Sequence, residues 1–197
     1  MYKKINITEI QLRTISLFTD YGREYHIREI ARLLRISPRA AQLALRSLED
    51  KAAVESKMRG RTKVYSIKQT ESAGDYLLMA EHYKSIAFKE GHALISEIIA
   101  KIKPHIKGIG AIFGGYAKGI EKKDSDFDIF VAGECDAGAV KKAGAAYGID
   151  IHIQNYPFSI FKNSLKSDIF LKEVLKSHVI FLNSEQFVTA VLEKWLK

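Results

Sequence analysis

Two aspartates in the second half of the chain have a spacing that could hold a metal ion. Asp126 and Asp128 stand two residues apart at the start of an apolar run. On a β-strand, side chains two residues apart project from the same face. Two carboxylates held together repel each other unless a cation lies between them. Because hard oxygen ligands favour Mg²⁺ or Mn²⁺, the pair predicts a site for one of these ions.

A third carboxylate is expected on a neighbouring strand. Asp150 stands alone among apolar neighbours in the predicted strand 148–153. We expect Asp128 and Asp150 to flank one site across adjacent strands. Three carboxylates around divalent ions are the arrangement that moves a nucleotidyl group. The structural alternative is an Asp-x-Asp that only caps a strand.

A glycine pair precedes these aspartates and is suited to bind phosphate. The run 106–113 has the pattern of a buried strand and ends at Gly114 and Gly115. Two glycines after a strand let the backbone approach a phosphate closely and offer it amide donors. Positive charge is added nearby by three lysines, Lys118, Lys122 and Lys123.

These motifs, in this order, resemble the nucleotidyltransferase superfamily that includes DNA polymerase beta, and most closely its group of minimal nucleotidyltransferases. The resemblance covers residues 90–185. It is carried by Gly114-Gly115, Ala117-Lys118-Gly119, Ser125-Asp126-Phe127-Asp128, Asp150 and a closing helix and strand over 170–182.

The resemblance implies Mg²⁺ or Mn²⁺ as cofactor and a nucleoside triphosphate as substrate or ligand. Asp126, Asp128 and Asp150 would be the catalytic and metal-binding residues. The implied nucleotide-binding residues are Gly114, Gly115, Lys118 and Ser125. The implied mechanism is in-line attack, with Asp150 helping to deprotonate an acceptor hydroxyl and pyrophosphate leaving.

The sequence departs from this family pattern at one position. Gly115 stands where the family has a serine, so the hydroxyl that would bind a phosphate is missing while the backbone amide remains. This departure leaves open whether the site is a slower enzyme or a nucleotide sensor. The six histidines are scattered and match no zinc-binding spacing, so we expect no histidine-based zinc site.

The net charge of the chain is confined to its first third. Residues 1–68 carry 15 of the 31 lysines and arginines but only 7 of the 23 acidic residues, which accounts for the whole net charge of +8. Such asymmetry indicates a nucleic-acid-binding module joined to a neutral one. A basic surface that only meets solvent is the alternative.

The same third predicts three helices followed by a hairpin. Apolar residues at helical spacing predict helices over 7–21 and 27–34. Ser37 and Pro38 are typical of a helix start, and this third helix is expected to end near Glu49. Two β-prone runs around Gly60 then predict a hairpin.

This order resembles the winged-helix family of transcriptional regulators over residues 8–68. One departure is Ala52-Ala53, where many members place a glycine after the recognition helix. The resemblance implies that the third helix enters the major groove of duplex DNA and the hairpin contacts the backbone or minor groove. The implied DNA-binding residues are Arg39, Gln42, Arg46, Arg59, Arg61 and Lys63. A winged helix used only for protein contacts is the alternative.

The predicted fold class is therefore α+β. It comprises an N-terminal winged helix-turn-helix domain over 1–68, a helical connector over 69–103 and a nucleotidyltransferase-like domain with a mixed sheet flanked by helices over 104–197. Four roles remain open for the connector: a linker, a dimerisation helix, a lid on the second domain, or a segment that contributes only packing.

Composition narrows the setting. No apolar run is long enough for a membrane span, residues 1–6 do not resemble a signal peptide, and Cys135 is the single cysteine. We therefore expect a cytoplasmic protein that does not bind membranes and has no internal disulfide.

Three functions remain open. The first is an enzyme that moves a nucleoside monophosphate from a nucleoside triphosphate to an unidentified hydroxyl. The second is a DNA-binding transcriptional regulator whose second domain only senses nucleotide. The third is an antitoxin-like partner of a small helical toxin, as some minimal nucleotidyltransferases are. A homodimer is a further candidate assembly.

Overall fold

Two separate sheets, each with its own helices, make up the structure, a computed structural model that describes residues 6–122 and 125–195. The chain divides into two units, Met1–Tyr83 and Lys84–Lys197. The predicted α+β class is confirmed. None of the helices within the described residues combines the length and apolar character needed to cross a bilayer.

The first unit has the predicted order of three helices and a hairpin, with a short strand added after the first helix. Its elements are α1 Glu9–Leu17, β1 Tyr25–His26, α2 Ile27–Leu34, α3 Pro38–Asp50, β2 Val54–Arg59 and β3 Thr62–Ile67. The strands form an antiparallel sheet in the order β1-β3-β2.

Helix α1 is shorter than the predicted 7–21. It begins after Thr8, whose hydroxyl accepts a hydrogen bond from the Gln11 amide, while the Gln11 side chain accepts one from the Thr8 amide. This capping box satisfies two amides that the first turn leaves free. The helix ends at Leu17 with Phe18 as its C-terminal cap, and Gly22 follows with φ +83°. The cap and the turn therefore set bounds that apolar spacing alone could not.

Helix α3 starts where its sequence predicts. The Ser37 hydroxyl accepts a hydrogen bond from the Ala40 amide at 3.1 Å, and Pro38 occupies the first turn. After the helix, Ala52 adopts φ +56°. A left-handed conformation costs a residue with a Cβ about 1–2 kcal/mol, a cost that a glycine at this position would avoid.

The second unit is built around a four-stranded sheet. Helix α4 Glu71–Gly91 crosses the division between the units. It is followed by α5 Ala93–Ile102, β4 Ile106–Ile112, α6 Gly114–Lys118, β5 Phe127–Cys135, α7 Ala137–Ala145, β6 Ile151–Tyr156, α8 Phe158–Ser164, α9 Ile169–Lys176, β7 Val179–Leu182 and α10 Ser184–Trp195. A 3-10 turn, Lys103–His105, joins α5 to β4.

The sheet of the second unit is mixed, as predicted. Its order is β6-β5-β4-β7, with β5 and β6 parallel and the other pairs antiparallel. Alternate residues of β5 face opposite sides. Phe127, Ile129 and Val131 pack in a core with α5 and α7. Phe130 instead contacts aromatic rings of α8 and α9, and Asp128 shares its side of the strand.

Candidate active site and candidate DNA-binding surface

The starts of two parallel strands bring the three predicted aspartates together. Asp126 and Asp150 lie immediately before β5 and β6, rather than within the strands, and Asp128 is the second residue of β5. The Phe127 amide donates to the Asp150 carbonyl at 2.9 Å, which fixes the two strand starts side by side. Both Asp126 and Asp150 are exposed, whereas Asp128 is half-buried.

His152 lies among these carboxylates. Its Nδ1 atom is 3.6 Å from Asp126 Oδ2 and 3.6 Å from Asp128 Oδ1, and its Nε2 atom is 3.7 Å from Asp150 Oδ2. The strand register sets His152 opposite Asp128. His152 was not among the predicted site residues, because the histidines match no zinc-binding spacing. The available signal was its position two residues after Asp150, which on a strand means the same face.

The glycine pair follows β4 and begins α6. Gly114 has φ +69°, and a Cβ atom added to it would lie 2.2 Å from Asp128 Oδ2. Only glycine fits here, since the backbone passes directly against this carboxylate. Gly115 differs, because its φ lies outside the left-handed region and an added Cβ would meet nothing nearer than Glu121 Cα at 3.7 Å.

The segment between α6 and β5 is held by two sets of hydrogen bonds. The Ser125 hydroxyl accepts from the Lys122 amide at 2.8 Å, and the Ser125 amide donates to the Lys122 carbonyl. Glu121 Oε1 lies 2.9 Å from His92 Nε2, and this contact is the main reason that the pKa of Glu121 is lowered. Lys118 is exposed at the end of α6, and Lys123 lies outside the described residues.

Burial, and then the neighbouring charges, shift the pKa of Asp128. Burial raises the pKa of the Asp128 carboxyl above its ordinary value, and nearby Asp126 adds to this rise. The neighbouring His152 opposes both by lowering the Asp128 pKa. This carboxyl is therefore less easily ionised than an exposed aspartate, and a positive charge beside it favours its ionised form.

The donor set at the strand starts fits a divalent ion. Ligand atoms of Asp126, Asp150 and His152 all lie within 4.8 Å of one another. Carboxylate oxygens suit Mg²⁺ and Mn²⁺, and an imidazole nitrogen suits transition-metal ions. Gly114 lets the backbone pass directly against the Asp128 carboxylate, because an added Cβ would lie 2.2 Å from Asp128 Oδ2.

The predicted DNA-contacting residues of α3 share one exposed face. Arg39, Gln42 and Arg46 are all exposed, while Ala41, Leu45 and Leu48 on the other side of the helix are buried. Arg39 donates to the Gln42 side-chain oxygen at 3.0 Å. This face therefore presents hydrogen-bonding groups to the outside of the unit.

The three predicted cations of the hairpin are not equivalent. Arg59 makes a two-point contact with the Glu24 carboxylate, at 2.7 and 2.9 Å. Lys63 lies 3.4 Å from a Glu49 oxygen. Arg61 is exposed at the tip, where β2 and β3 are joined through Gly60 and Arg61, and no ion pair joins it to any residue in the described stretches.

The Arg59 contact also changes the acidity of its partner. Hydrogen bonds from Arg59, and then from Lys57, lower the pKa of Glu24 from 4.5 to about 2. Glu24 is therefore ionised throughout the physiological range of pH. Its charge offsets part of the positive charge that composition assigns to the hairpin.

Comparison with known proteins defines the class of the second unit. Residues 94–197 match the family model described as a nucleotidyltransferase domain. Because this match covers more than half of the chain, the protein belongs to the nucleotidyltransferase domain family. Domains of this family generally use a divalent metal ion and a nucleoside triphosphate. The predicted resemblance of the second half is thereby confirmed at the level of the family.

Other comparisons are less informative. Wild-type ZitR of Lactococcus lactis, solved in complex with DNA, is 21% identical, with 50% of this chain and 74% of that chain covered and a TM-score of 0.35. A double mutant of the same protein gives 21% identity and a TM-score of 0.36, with 49% of this chain and 63% of that one covered. The chain thus spans less than two thirds of this mutant's length. At these TM-scores, the likeness carries no conclusion about fold or function. No curated protein matches the sequence.

Proposed function

We propose that the protein is a divalent-metal-dependent nucleotidyltransferase, which moves a nucleoside monophosphate from a nucleoside triphosphate to a hydroxyl group of an acceptor. The observation that carries this proposal is the convergence of Asp126, Asp128 and Asp150 at the starts of two adjacent parallel strands. Membership in the nucleotidyltransferase family supports the same reaction class.

The chain's own residues have distinct roles in this proposal. Asp126, Asp128 and Asp150 hold divalent cations, of which Mg²⁺ or Mn²⁺ suit the oxygen ligands. Such ions, when bound, offset the negative charge of the triphosphate and of the transition state. Gly114 and Gly115 keep the backbone open beside the triphosphate, and Lys118 and Ser125 complete the proposed nucleotide-binding set.

The reaction itself is a substitution at the α-phosphorus. The acceptor oxygen forms a bond to this phosphorus, the bond from the α-phosphorus to the bridging oxygen breaks, and pyrophosphate leaves with that oxygen. The acceptor's proton passes to Asp150, which is the most exposed of the three carboxylates and so is accessible to an incoming hydroxyl. Asp128 is the least exposed of the three and is suited to a fixed holding role.

A labelling experiment tests this proposal. The full chain is incubated with nucleoside triphosphates labelled at the α-phosphate, together with Mg²⁺ or Mn²⁺, and with candidate acceptors including the chain itself. We expect transfer of label and an equal release of pyrophosphate. Binding of nucleotide without either product would favour a nucleotide sensor, which the missing hydroxyl at Gly115 also supports.

We further propose that the first unit binds duplex DNA. Support comes from the exposed face of α3, with Arg39, Gln42 and Arg46, and from the exposed Arg61 at the tip of the hairpin. Arginine and glutamine side chains have the donor geometry to contact guanine and adenine edges. Arg59 and Lys63 belong to the same proposed surface, where cations contact phosphates. Electrophoretic mobility shift with the full chain and mixed-sequence duplexes at low salt tests this second function.

A further inference from the structure

We propose that His152 is a nitrogen ligand of the divalent-ion site and biases that site towards transition-metal ions, such as Mn²⁺ or Co²⁺, over Mg²⁺. This inference rests on the proposed metal site at Asp126, Asp128 and Asp150. It adds a ligand of a different chemical type to three carboxylates, and so concerns which ion the protein selects.

The position of the imidazole ring is the first argument. Its two nitrogens face different carboxylates, with Nδ1 3.6 Å from oxygens of Asp126 and Asp128 and Nε2 3.7 Å from an oxygen of Asp150. These separations exceed the usual 2.7–3.2 Å of an N–H···O hydrogen bond. The ring therefore lies among the carboxylates without being committed to a close hydrogen bond with any of them.

The distances between donor atoms are the second argument. The donors of Asp126, Asp150 and His152 lie within 4.8 Å of one another. Two ligands on opposite sides of one ion, each about 2.1 Å from it, are about 4.2 Å apart. Since the side chains of Asp126 and His152 are 52% and 55% exposed, small rotations are enough to bring these donors onto one ion.

The backbone supplies the third argument. His152 is the register partner of Asp128 across the parallel pair β5–β6, and it follows Asp150 by two residues. Strand geometry therefore directs the imidazole to the face on which the carboxylates lie. The ladder between β5 and β6 thus holds the His152 backbone beside Asp128.

Ligand chemistry gives the expected selectivity. Mg²⁺ prefers oxygen ligands in a regular octahedron, whereas imidazole nitrogen is a good ligand for later transition-metal ions. For a given site containing nitrogen, Co²⁺ is also bound more tightly than Mn²⁺. Loss of His152 should therefore weaken Co²⁺ binding more than Mn²⁺ binding, and should change Mg²⁺ binding least.

The test compares the full-length wild type with His152→Val, since valine suits an exposed strand position. Calorimetric titrations measure Co²⁺ and Mg²⁺ affinity. We expect His152→Val to lose at least about tenfold in Co²⁺ affinity, which is the lower end of what removal of even an outer-shell partner costs. Mg²⁺ affinity should be nearly unchanged. The matched control is His105→Gln, an exposed histidine of the 3-10 turn, and it should bind both ions as the wild type does.

A spectroscopic measurement on the wild type needs no variant. With Mn²⁺ bound, pulsed electron paramagnetic resonance should detect coupling to an imidazole ¹⁴N nucleus, and His152→Val should lack it. Absence of that coupling in the wild type would overturn the inference. So would tighter binding of both ions by His152→Val, because this would mean that the ring acts as a competing counter-ion for the carboxylates.

A further variant separates failure of this inference from failure of the proposed function. Asp126→Asn combined with Asp128→Asn should abolish binding of both ions. If it does, while His152→Val retains the wild-type ratio of affinities, the metal site stands and only the role of His152 is rejected. If the double variant binds Co²⁺ and Mg²⁺ as the wild type does, the metal site itself is rejected.

Discussion

The two proposed functional regions use charge in opposite ways. In the second unit, three carboxylates are brought together by adjacent strand starts, even though like charges repel, and one imidazole lies between them. In the first unit, cations lie on long exposed side chains, and Arg59 and Lys63 contact the acidic residues Glu24 and Glu49. The carboxylates of the second unit are suited to bind a cation. The cations of the first unit are instead partly neutralised by neighbouring acidic residues.

A count of charged residues does not show which of them are held together and which are paired with opposite charges. The aspartates lie together because the register of β5 and β6 sets their strand starts side by side, so their positions follow from backbone hydrogen bonds. The hairpin's cations have no such constraint, and their availability depends on acidic partners elsewhere in the unit. Predictions about the aspartates of the second unit therefore concern geometry. Predictions about the hairpin of the first unit concern which of its cations are free.

The largest effect is expected when the carboxylates of Asp126 and Asp128 are both removed. Asp126→Asn combined with Asp128→Asn should abolish metal-dependent ATP binding and lower transfer activity by about a thousandfold or more, since metal ions supply several kcal/mol of transition-state stabilisation and each 1.36 kcal/mol is tenfold. Calorimetry and labelled-nucleotide assays measure the two effects. Glu134→Gln, at the exposed far end of β5, is the control and should behave as wild type. Unchanged Mg²⁺-dependent affinity in the double variant would reject this site.

Next in size is the effect of adding a serine hydroxyl at position 115, where the resemblance to minimal nucleotidyltransferases predicts one. Gly115→Ser should raise transfer activity by about ten- to a hundredfold, because a hydrogen bond to a charged group contributes about 1.5–3 kcal/mol. Serine fits, since Gly115 lies outside the left-handed region and an added Cβ would meet Glu121 only at ordinary contact distance. Steady-state pyrophosphate release measures the gain.

Gly115→Ala is the matched control for this gain, because it adds the same Cβ without the hydroxyl and should leave activity unchanged. The informative contrary result is a well-folded Gly115→Ser protein that binds Mg²⁺-ATP, as the wild type does, with no turnover by either. In that case the nucleotide-sensor function becomes the better proposal.

A side chain at the neighbouring glycine, Gly114, should instead weaken the site. Gly114→Ala places a Cβ 2.2 Å from Asp128 Oδ2 and should weaken Mg²⁺-ATP binding by about tenfold, which corresponds to 1.4 kcal/mol. Gly119→Ala is the matched control, since Gly119 also has a positive φ, +64°, but has open space around it. Both variants should lose about 1–2 kcal/mol of folding stability from the left-handed backbone, measured by urea unfolding. If both lose nucleotide binding equally, backbone strain rather than the contact with Asp128 explains the loss.

Strand patterns predicted much of the second unit. Apolar runs indicated β4, β5 and β6 to within a few residues, whereas Asp126 and Asp150, predicted on strands, lie immediately before them. The parallel pairing of β5 with β6 could not be read from either segment alone. That pairing sets His152 opposite Asp128, a neighbour that its position two residues after Asp150 does not by itself indicate.

Contacts between distant residues explain what was missed in the first unit. Glu24 and Arg59 are 35 residues apart, and their contact arises only because β1 and the hairpin form one sheet. From the sequence alone, Arg59, Arg61 and Lys63 were therefore predicted to be equivalent DNA-binding cations. Likewise, the positive φ of Ala52 is seen only in the backbone of the folded chain, although the expected glycine of winged-helix regulators in this region pointed to it.

The smallest expected effect concerns how DNA affinity depends on salt, and it tests whether the hairpin's cations are equivalent. Each phosphate contact contributes about −0.9 to the slope of log affinity against log salt. Arg61→Ala in the full chain should therefore make the slope less steep by about 0.9, because Arg61 has no acidic partner among the described residues.

Arg59→Ala should change that slope less, because Glu24 already contacts the Arg59 guanidinium at two points. The lowered pKa of Glu24, about 2, means that its stabilising contact is present above the ordinary carboxyl range and is lost only as pH falls towards 2. The pair therefore persists in any DNA-binding assay near neutral pH. Glu24→Gln removes the negative charge that contacts both Arg59 and Lys57. It should steepen the slope by about 0.9 for each of these two cations that then contacts a phosphate. Fluorescence anisotropy over a salt series measures all three variants against the wild type. Equal slope changes for Arg59→Ala and Arg61→Ala would show that the Glu24 contact does not limit Arg59, and no DNA affinity at low salt would reject DNA binding by this unit.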